Sequence, residues 1–216
     1  MSLWVGGVEV TNASGVYVGG TLCEGVYVGA TKVWPTFNPV QVGPFSTATG
    51  SYTTPVGATK CDVVVFGAGA GGDSGGAGQR TGYGGLPGNK NGGTINVTSG
   101  QVISWNVGTG GAGGYGTITG TPPTNGGQTS CAGVVAAGGV ARTAGTGQDP
   151  TGIGTGDYTF NGRVYPGSVS TPGTQNSPGL PGNAPGGGGG GGKGVISGFV
   201  TGGSGANGCV YLYFYN

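Results

Sequence analysis

The chain has 216 residues, seven lysines and arginines, six aspartates and glutamates, and no histidine, for a formal net charge of +1. So weak a charge argues against electrostatic binding of nucleic acid, and the lack of histidine excludes a Cys/His zinc site. Its apolar runs are far shorter than the roughly 20 residues that span a bilayer, so membrane insertion is not expected. No cofactor is expected either.

Residues 3–34 carry an internal repeat in which an aromatic residue between aliphatic ones precedes two small residues and a second β-prone run. Its copies are LWVGGVEV (3–10), VYVGGTLC (16–23) and VYVGATKV (26–33). Alternating apolar positions closed by glycine turns predict three short β-hairpins. Hairpins this small are marginal alone, so residues 1–38 are expected to attach to a partner or to oligomerise. The alternative is a meander that continues the main domain.

Residues 39–216 are predicted to form one all-β domain. WPTFNPVQVGP (34–44) holds three prolines and no helical period, so it is interpreted as an extended connector. The segments after it are short and rich in Val, Ile, Thr and aromatic residues, which favours strands in a β-sandwich of jelly-roll type. The predicted strands are 45–55, 60–68, 93–99, 101–108, 131–139 and 209–216.

Glycine-rich stretches separate these strands at 67–93, 108–127, 143–156 and 166–208. Glycine loses the most backbone entropy on ordering, so a flexible coil is the default interpretation. The alternative is an array of extended threefold helices of the polyglycine II type, whose backbones bond to each other at close range. Pro-Gly pairs recur at multiples of three residues from Pro166 onward, which favours the array. The seven glycines Gly186–Gly192 are then predicted to form one ordered helix.

Three motifs match active-site sequence signatures, but the chain lacks the residues or elements that each signature needs. GDSGG (72–76) matches a serine-protease signature, but no Ser/His/Asp triad can form without histidine. Gly67, Gly69 and Gly72 match a dinucleotide fingerprint, yet the residues after them cannot form the helix that binds a pyrophosphate. GGGGGGGKG (186–194) lacks the Ser or Thr that follows the lysine of a P-loop. An enzyme is therefore not expected.

The sharpest local signal is DYTFNGRVYP (157–166), in which Asn-Gly is the preferred pair of a type I′ turn. The turn predicts a hairpin that pairs Tyr158 with Tyr165 and Phe160 with Arg163, all four on one face. This face is a candidate receptor-binding surface, because Tyr, Phe and Arg are frequent in binding hot spots. The alternative is that it covers the main sheet or the glycine array.

Single side chains that stand out of a glycine background are weaker candidates, because a rigid support can display them for recognition. They are Arg80, Tyr83, Tyr115, Lys193 and Phe199.

The cysteines Cys23, Cys61, Cys131 and Cys209 are spread along the chain without a C-x-x-C pair, so free thiols are expected. The alternative is a cross-strand bond between Cys61 and Cys209. MSLWVGGVEV (1–10) has no basic or continuous apolar region of a secretory signal, which predicts synthesis in a cytoplasm.

Four blocks of the chain resemble, in order, the glycine-rich domain at the ends of bacteriophage tail proteins. They are SYTTPVGATKCDVVVFGAGAGG (51–72), GGTINVTSGQVISWNVGTGGAGG (92–114), GQTSCAGVVAAGG (127–139) and GANGCVYLYFYN (205–216). The N-terminal repeats are similar to the leading segments of some phage minor tail proteins. The resemblance implies a virion protein, often a homotrimer, with one end on the tail and the other facing the host.

The expected function is that of a tail structural protein that recognises a glycan or protein of the host surface. Its N-terminal segment would bind other virion tail proteins, and no residue pattern of the family fixes the receptor contacts. One alternative is a purely structural tail-tip or fibre component. Another is an ice-binding or surface-coat protein, since flat arrays of glycine helices also suit regular surfaces.

Overall fold

The computed structural model describes residues 37–76, 80–116, 120–142, 149–174, 177–194 and 198–216, and the backbone of six short strands between residues 3 and 34. Throughout this described part the chain is all-β, as predicted, and every strand pair is antiparallel. The strands are β1 (Leu3–Val5), β2 (Val8–Val10), β3 (Tyr17–Val18), β4 (Thr21–Leu22), β5 (Val26–Val28), β6 (Thr31–Trp34), β7 (Val40–Phe45), β8 (Thr49–Thr53), β9 (Lys60–Phe66), β10 (Lys90–Asn96), β11 (Val102–Asn106), β12 (Thr129–Cys131), β13 (Val134–Ala136), β14 (Tyr158–Phe160), β15 (Arg163–Tyr165) and β16 (Cys209–Tyr215).

The N-terminal repeat forms three two-stranded units, in which β1 pairs with β2, β3 with β4 and β5 with β6. Each predicted strand-turn-strand unit therefore has its strand pair. The side chains of these strands lie outside the described residues. The attachment role of residues 1–38, and the domain boundary after them, stay predictions.

The main domain contains two four-stranded sheets, in the orders β10-β9-β16-β7 and β13-β12-β11-β8. Both sheets contribute to one hydrophobic cluster, so they pack against each other face to face. Burial of each large apolar side chain in such a core contributes about 1.5–3 kcal/mol. The inward residues include Cys61, Val63, Val65, Ile103, Trp105, Cys131, Val210, Leu212 and Phe214.

Two strand predictions are wrong in detail. The expected connector 34–44 contains most of β7, which pairs with β16 at the edge of its sheet, where Pro44 is tolerated because an edge strand needs no N–H on its open side. The single strand predicted at 131–139 is instead part of the β12–β13 hairpin. Its turn residues Ala132 and Gly133 both have positive φ, 47° and 84°.

Glycine-rich segments pack side by side beyond one end of the sheets and form what we call the glycine array. Its segments are 67–76, 80–88, 108–116, 120–127, 137–142, 149–156, 166–174, 177–194 and 198–208. Between the first and last segments, Gly69, Gly72 and Gly75 donate N–H bonds in turn to the carbonyls of Ala206, Gly203 and Val200. Bonds to the same neighbour at every third residue have the spacing that threefold extended helices would give, and the helix type itself stays a prediction.

The run Gly186–Gly192 lies inside this array and is neither a coil nor a phosphate loop. Gly187 to Gly192 are buried, and most of their N–H groups bond to carbonyls of segments distant in sequence, such as Gly189 to Ala70 and Gly192 to Asp73. Such bonds satisfy buried backbone groups that would otherwise be costly. The run is therefore ordered by these bonds, and its prediction as one extended helix stays a prediction.

A methyl group on Gly50 is expected to destabilise the domain by about 1–3 kcal/mol, as overpacking of a core does. A Cβ there would lie 2.5 Å from Cζ2 of Trp105, whose ring is 7 % exposed and stacks on Phe45 at 4.3 Å. Urea unfolding of Gly50→Ala measures the loss. Ser51→Ala, on the exposed face of the same strand, is the control, and equal midpoints for the two variants would contradict the prediction.

Candidate functional site at the distal end of the array

The predicted hairpin forms with the predicted register. Tyr158 pairs with Tyr165 and Phe160 with Arg163, and the turn residues Asn161 and Gly162 have positive φ of 47° and 75°, as a type I′ turn requires. A two-residue turn fixes the pairing of both strands, which is why local sequence was sufficient here.

The aromatic face of the hairpin packs against the outer face of the β10-β9-β16-β7 sheet. Tyr165 is fully buried in a cluster with Val64, Phe66 and Tyr211, and Tyr158 and Phe160 pack against that cluster. The face proposed as a receptor surface is thus directed toward the sheet. The hairpin covers the main sheet, which is the alternative that the sequence left open. Alternation along the strands predicts that these side chains share a face, but it does not show on which side of the hairpin the sheet lies.

A buried carboxylate anchors the turn of this hairpin. Asp62 is 2 % exposed, and its Oδ1 accepts bonds from Thr94 Oγ1 at 2.6 Å, Asn161 Nδ2 at 3.1 Å and Tyr215 Oη at 3.1 Å. Arg163 lies over the ring of Tyr213, with its Cζ 3.4 Å from the ring centroid, and donates a bond to the Tyr213 hydroxyl. The side chains of Asn161 and Arg163 therefore hold the hairpin against the sheet.

The array ends in a second cluster of side chains, far from the sheets, which we call the distal end. The segment that leaves β9 reaches it at Gly75 and Gly76, which pair with Val200 and Arg80. Tyr115 pairs there with Thr121, Thr81 pairs with Lys193, and Gly194 donates to the carbonyl of Arg80 at 3.0 Å. The distal end consists of Asp73–Gly76, Arg80, Thr81, Tyr115, Gly116, Gly120, Thr121, Lys193, Gly194 and Gly198–Val200.

Four of the weaker candidates come together at this end although they are distant in sequence. Tyr115 is 67 % exposed and Phe199 is 48 % exposed, whereas Arg80 and Lys193 are half-buried. Tyr83 lies apart from them on the flank of the array. Its ring is covered by Arg142, whose Cζ is 5.0 Å from the ring centroid.

The distal end also buries a carboxyl group that sequence reasoning did not select. Asp73 is 6 % exposed, its Oδ1 accepts the N–H of Ser74 at 2.8 Å, and no donor among the described residues reaches its Oδ2. Burial raises the pKa of Asp73 above its ordinary value of 3.8, and the Ser74 N–H and the Arg80 charge offset part of that rise.

The family model for a glycine-rich domain matches residues 46–164, more than half of the 216 residues. The chain belongs to this glycine-rich domain family. None of the curated proteins matches it in sequence. In this chain the fold of the glycine-rich domain continues past the match, because the matched strand β9 pairs with β16 and the matched segment 67–76 bonds to residues 200–206.

The residues that match active-site sequence signatures pack within the glycine-rich domain. Ser74 Oγ donates to the carbonyl of Gly116 at 2.9 Å, and a Cβ on Gly67, Gly69 or Gly72 would lie closer than 3.0 Å to the backbone of a neighbouring segment. In the described ranges no group of three His, Cys, Asp or Glu side chains is placed to hold a metal ion. Nor does the described chain contain a helix long and apolar enough to cross a membrane.

The described cysteines are free thiols, so the alternative of a bond between Cys61 and Cys209 is wrong. Cys61 lies opposite Phe214 and Cys209 opposite Phe66, which places them at opposite ends of the β9–β16 pair. Burial raises the pKa of both thiols to about 12. Cys23 lies outside the described residues.

Asp73 is expected to make stability depend on pH. Because its pKa is raised by folding, its contribution is fully present below pH 3.8 and is lost as the pH rises through the folded-state value. The stability of the wild type relative to Asp73→Asn should therefore fall as the pH rises above 3.8, which urea unfolding at a series of pH values measures.

Asp149→Asn is the control for this prediction. The Thr151 N–H lowers the pKa of Asp149, so the contribution of this carboxylate is lost as the pH falls, the opposite sign. A pH-independent difference between the wild type and Asp73→Asn would contradict the prediction.

Proposed function

We propose that this chain is a bacteriophage tail protein whose glycine-rich domain contacts the host surface through the distal end of its array. The observation that carries the proposal is the display of exposed Tyr115 and Phe199 on a backbone-bonded support, at the end away from the sheets. Binding residues are disproportionately found on chain reversals that a rigid scaffold positions. The phage setting rests on the resemblance of the four sequence blocks.

The remaining parts of the molecule have supporting roles in this proposal. Residues 1–38 attach the domain to other virion tail proteins, and the assembled protein is a homotrimer in the virion tail. The hairpin β14–β15 completes the cover of one sheet, because its aromatic side chains pack inward. The ice-binding or surface-coat alternative stays a prediction, since the side chains of the N-terminal repeats lie outside the described residues.

Binding of fluorescently labelled protein to a panel of intact bacteria tests the proposal, with unlabelled protein as competitor. We expect saturable, competed binding to a narrow set of hosts. The double variant Tyr115→Ala/Phe199→Ala should weaken it at least about tenfold, because aromatic side chains dominate binding hot spots. Val102→Ala, which truncates a side chain that is 59 % exposed on β11, is the control.

Thermal unfolding of each variant confirms that the fold is retained. Absence of binding by folded wild-type protein would favour a purely structural role at the tail tip. Binding that the distal double variant leaves unchanged would instead place the contact elsewhere on the chain.

A further inference from the structure

The basic side chains of the described chain divide into engaged and free ones. Lys90 Nζ donates to the carbonyls of Thr155 at 2.6 Å and Asp157 at 3.0 Å. Arg142 donates to the carbonyl of Gly84 through Nε at 3.0 Å and Nη2 at 2.5 Å, and Arg163 is held by Tyr213. These three cations are parts of the fold.

Arg80 and Lys193 differ from them. Within the described residues neither side chain donates a hydrogen bond or forms an ion pair, although their segments are bonded to each other through Thr81–Lys193 and Gly194–Arg80. The distal end thus holds two cations whose N–H groups make no hydrogen bond to the described residues, although the Arg80 charge acts on the buried Asp73. A third free cation, Lys60, lies at the start of β9, at the opposite end of the strand from the array.

Acidic side chains do not neutralise the exposed charge of the distal end. The sequence has no Asp or Glu from residue 74 to 148 or after Asp157, so every residue of the distal end except Asp73 is neutral or basic. Asp73 is 6 % exposed, so little of its carboxyl group faces a ligand in solution. Asp149 lies beside Gly84 and Arg142 on the flank, and the charge of Arg142 acts on it.

We propose that the ligand of the distal end is an anionic polysaccharide, one that carries phosphate or carboxylate groups. Arg and Lys bind such groups through charge-assisted hydrogen bonds. The exposed rings of Tyr115 and Phe199 offer apolar faces at the same end of the array, on which sugar rings can pack. This inference rests on the proposed function, because it names the chemistry of the surface that the same site contacts.

The test compares three soluble polymers: dextran, dextran phosphate and polygalacturonate. Full-length protein should bind one or both anionic polymers and not dextran, and an increase from about 0.05 M to about 0.5 M salt should weaken binding, since screening acts on exposed charges. Arg80→Gln/Lys193→Gln should weaken it at least about tenfold, because hydrogen bonds between charged groups are the strong ones. Lys60→Gln, which removes the other free cation of the described residues, should bind as the wild type does.

Equal binding of dextran and the anionic polymers, no binding of any polymer, or full affinity in the Arg80/Lys193 variant would overturn the inference. The preference between dextran phosphate and polygalacturonate identifies which anionic group is bound. Binding to intact bacteria is measured in parallel. If cells bind the wild type and the Arg80→Gln/Lys193→Gln variant equally at both salt concentrations, the proposed function stands and the inference fails. If cells do not bind at all, the proposed function itself fails.

Discussion

Replacement of Gly189 with alanine is expected to lower the free energy of unfolding by about 3 kcal/mol or more, because the added carbon has no space. A Cβ at this position would lie closer than 3.0 Å to the carbonyl oxygen of Gly203. That oxygen belongs to a neighbouring segment of the array, so relief requires two backbones to separate. Separation would strain the bonds from Gly189 to Ala70 and from Gly85 to Gly189. Gly189→Val should be more severe.

Gly190→Ala is a matched control from the same run of glycines. A Cβ on Gly190 would be 3.3 Å from its nearest neighbours, which a shift of a few tenths of an ångström accommodates. The same substitution also reduces the entropy of the unfolded chain, so we expect a change within about 1 kcal/mol. Urea unfolding of the two variants measures the difference. Equal stabilities would mean that neighbouring backbones do not confine this run as the structure describes.

This pair of adjacent glycines shows how much of the array the sequence predicts. Composition and the three-residue spacing of Pro-Gly pairs indicate ordered extended segments, because threefold periodicity is local information. Which glycine faces which neighbour is long-range information. Gly189 meets a carbonyl of the last segment whereas Gly190 faces Leu180, and no pattern within 186–192 distinguishes them.

The candidate site likewise has features that local sequence predicts and features that depend on long-range contacts. The hairpin register followed from Asn161-Gly162, since a two-residue turn specifies each cross-strand pair. The burial of the hairpin could not be predicted in this way. Alternation along a strand shows which side chains share a face, but not which element packs against that face. Arg80, Tyr115, Lys193 and Phe199 could be selected one at a time as side chains in a glycine background. Their assembly depends on bonds between segments that are far apart in sequence.

Two substitutions of Tyr165 are expected to have different effects on the free energy of unfolding. Tyr165→Ala should cost about 3–5 kcal/mol, because it leaves a cavity under the hairpin where a fully buried ring packs against Tyr211. Tyr165→Phe should be neutral or stabilising by up to about 1 kcal/mol, since it removes a buried hydroxyl that has no hydrogen-bond partner among the described residues. Urea unfolding of both variants measures the two effects.

The exposed neighbour Val164, on the opposite face of the same strand, supplies the control. Val164→Ala should change stability by no more than about 0.5 kcal/mol, because that side chain is 58 % exposed. The same variants separate packing from recognition. If Tyr165 contacted a receptor, Tyr165→Phe would weaken cell binding while the protein stayed folded. Burial predicts unchanged binding by Tyr165→Phe, so a specific loss of binding in that variant would restore the hairpin as a contact surface.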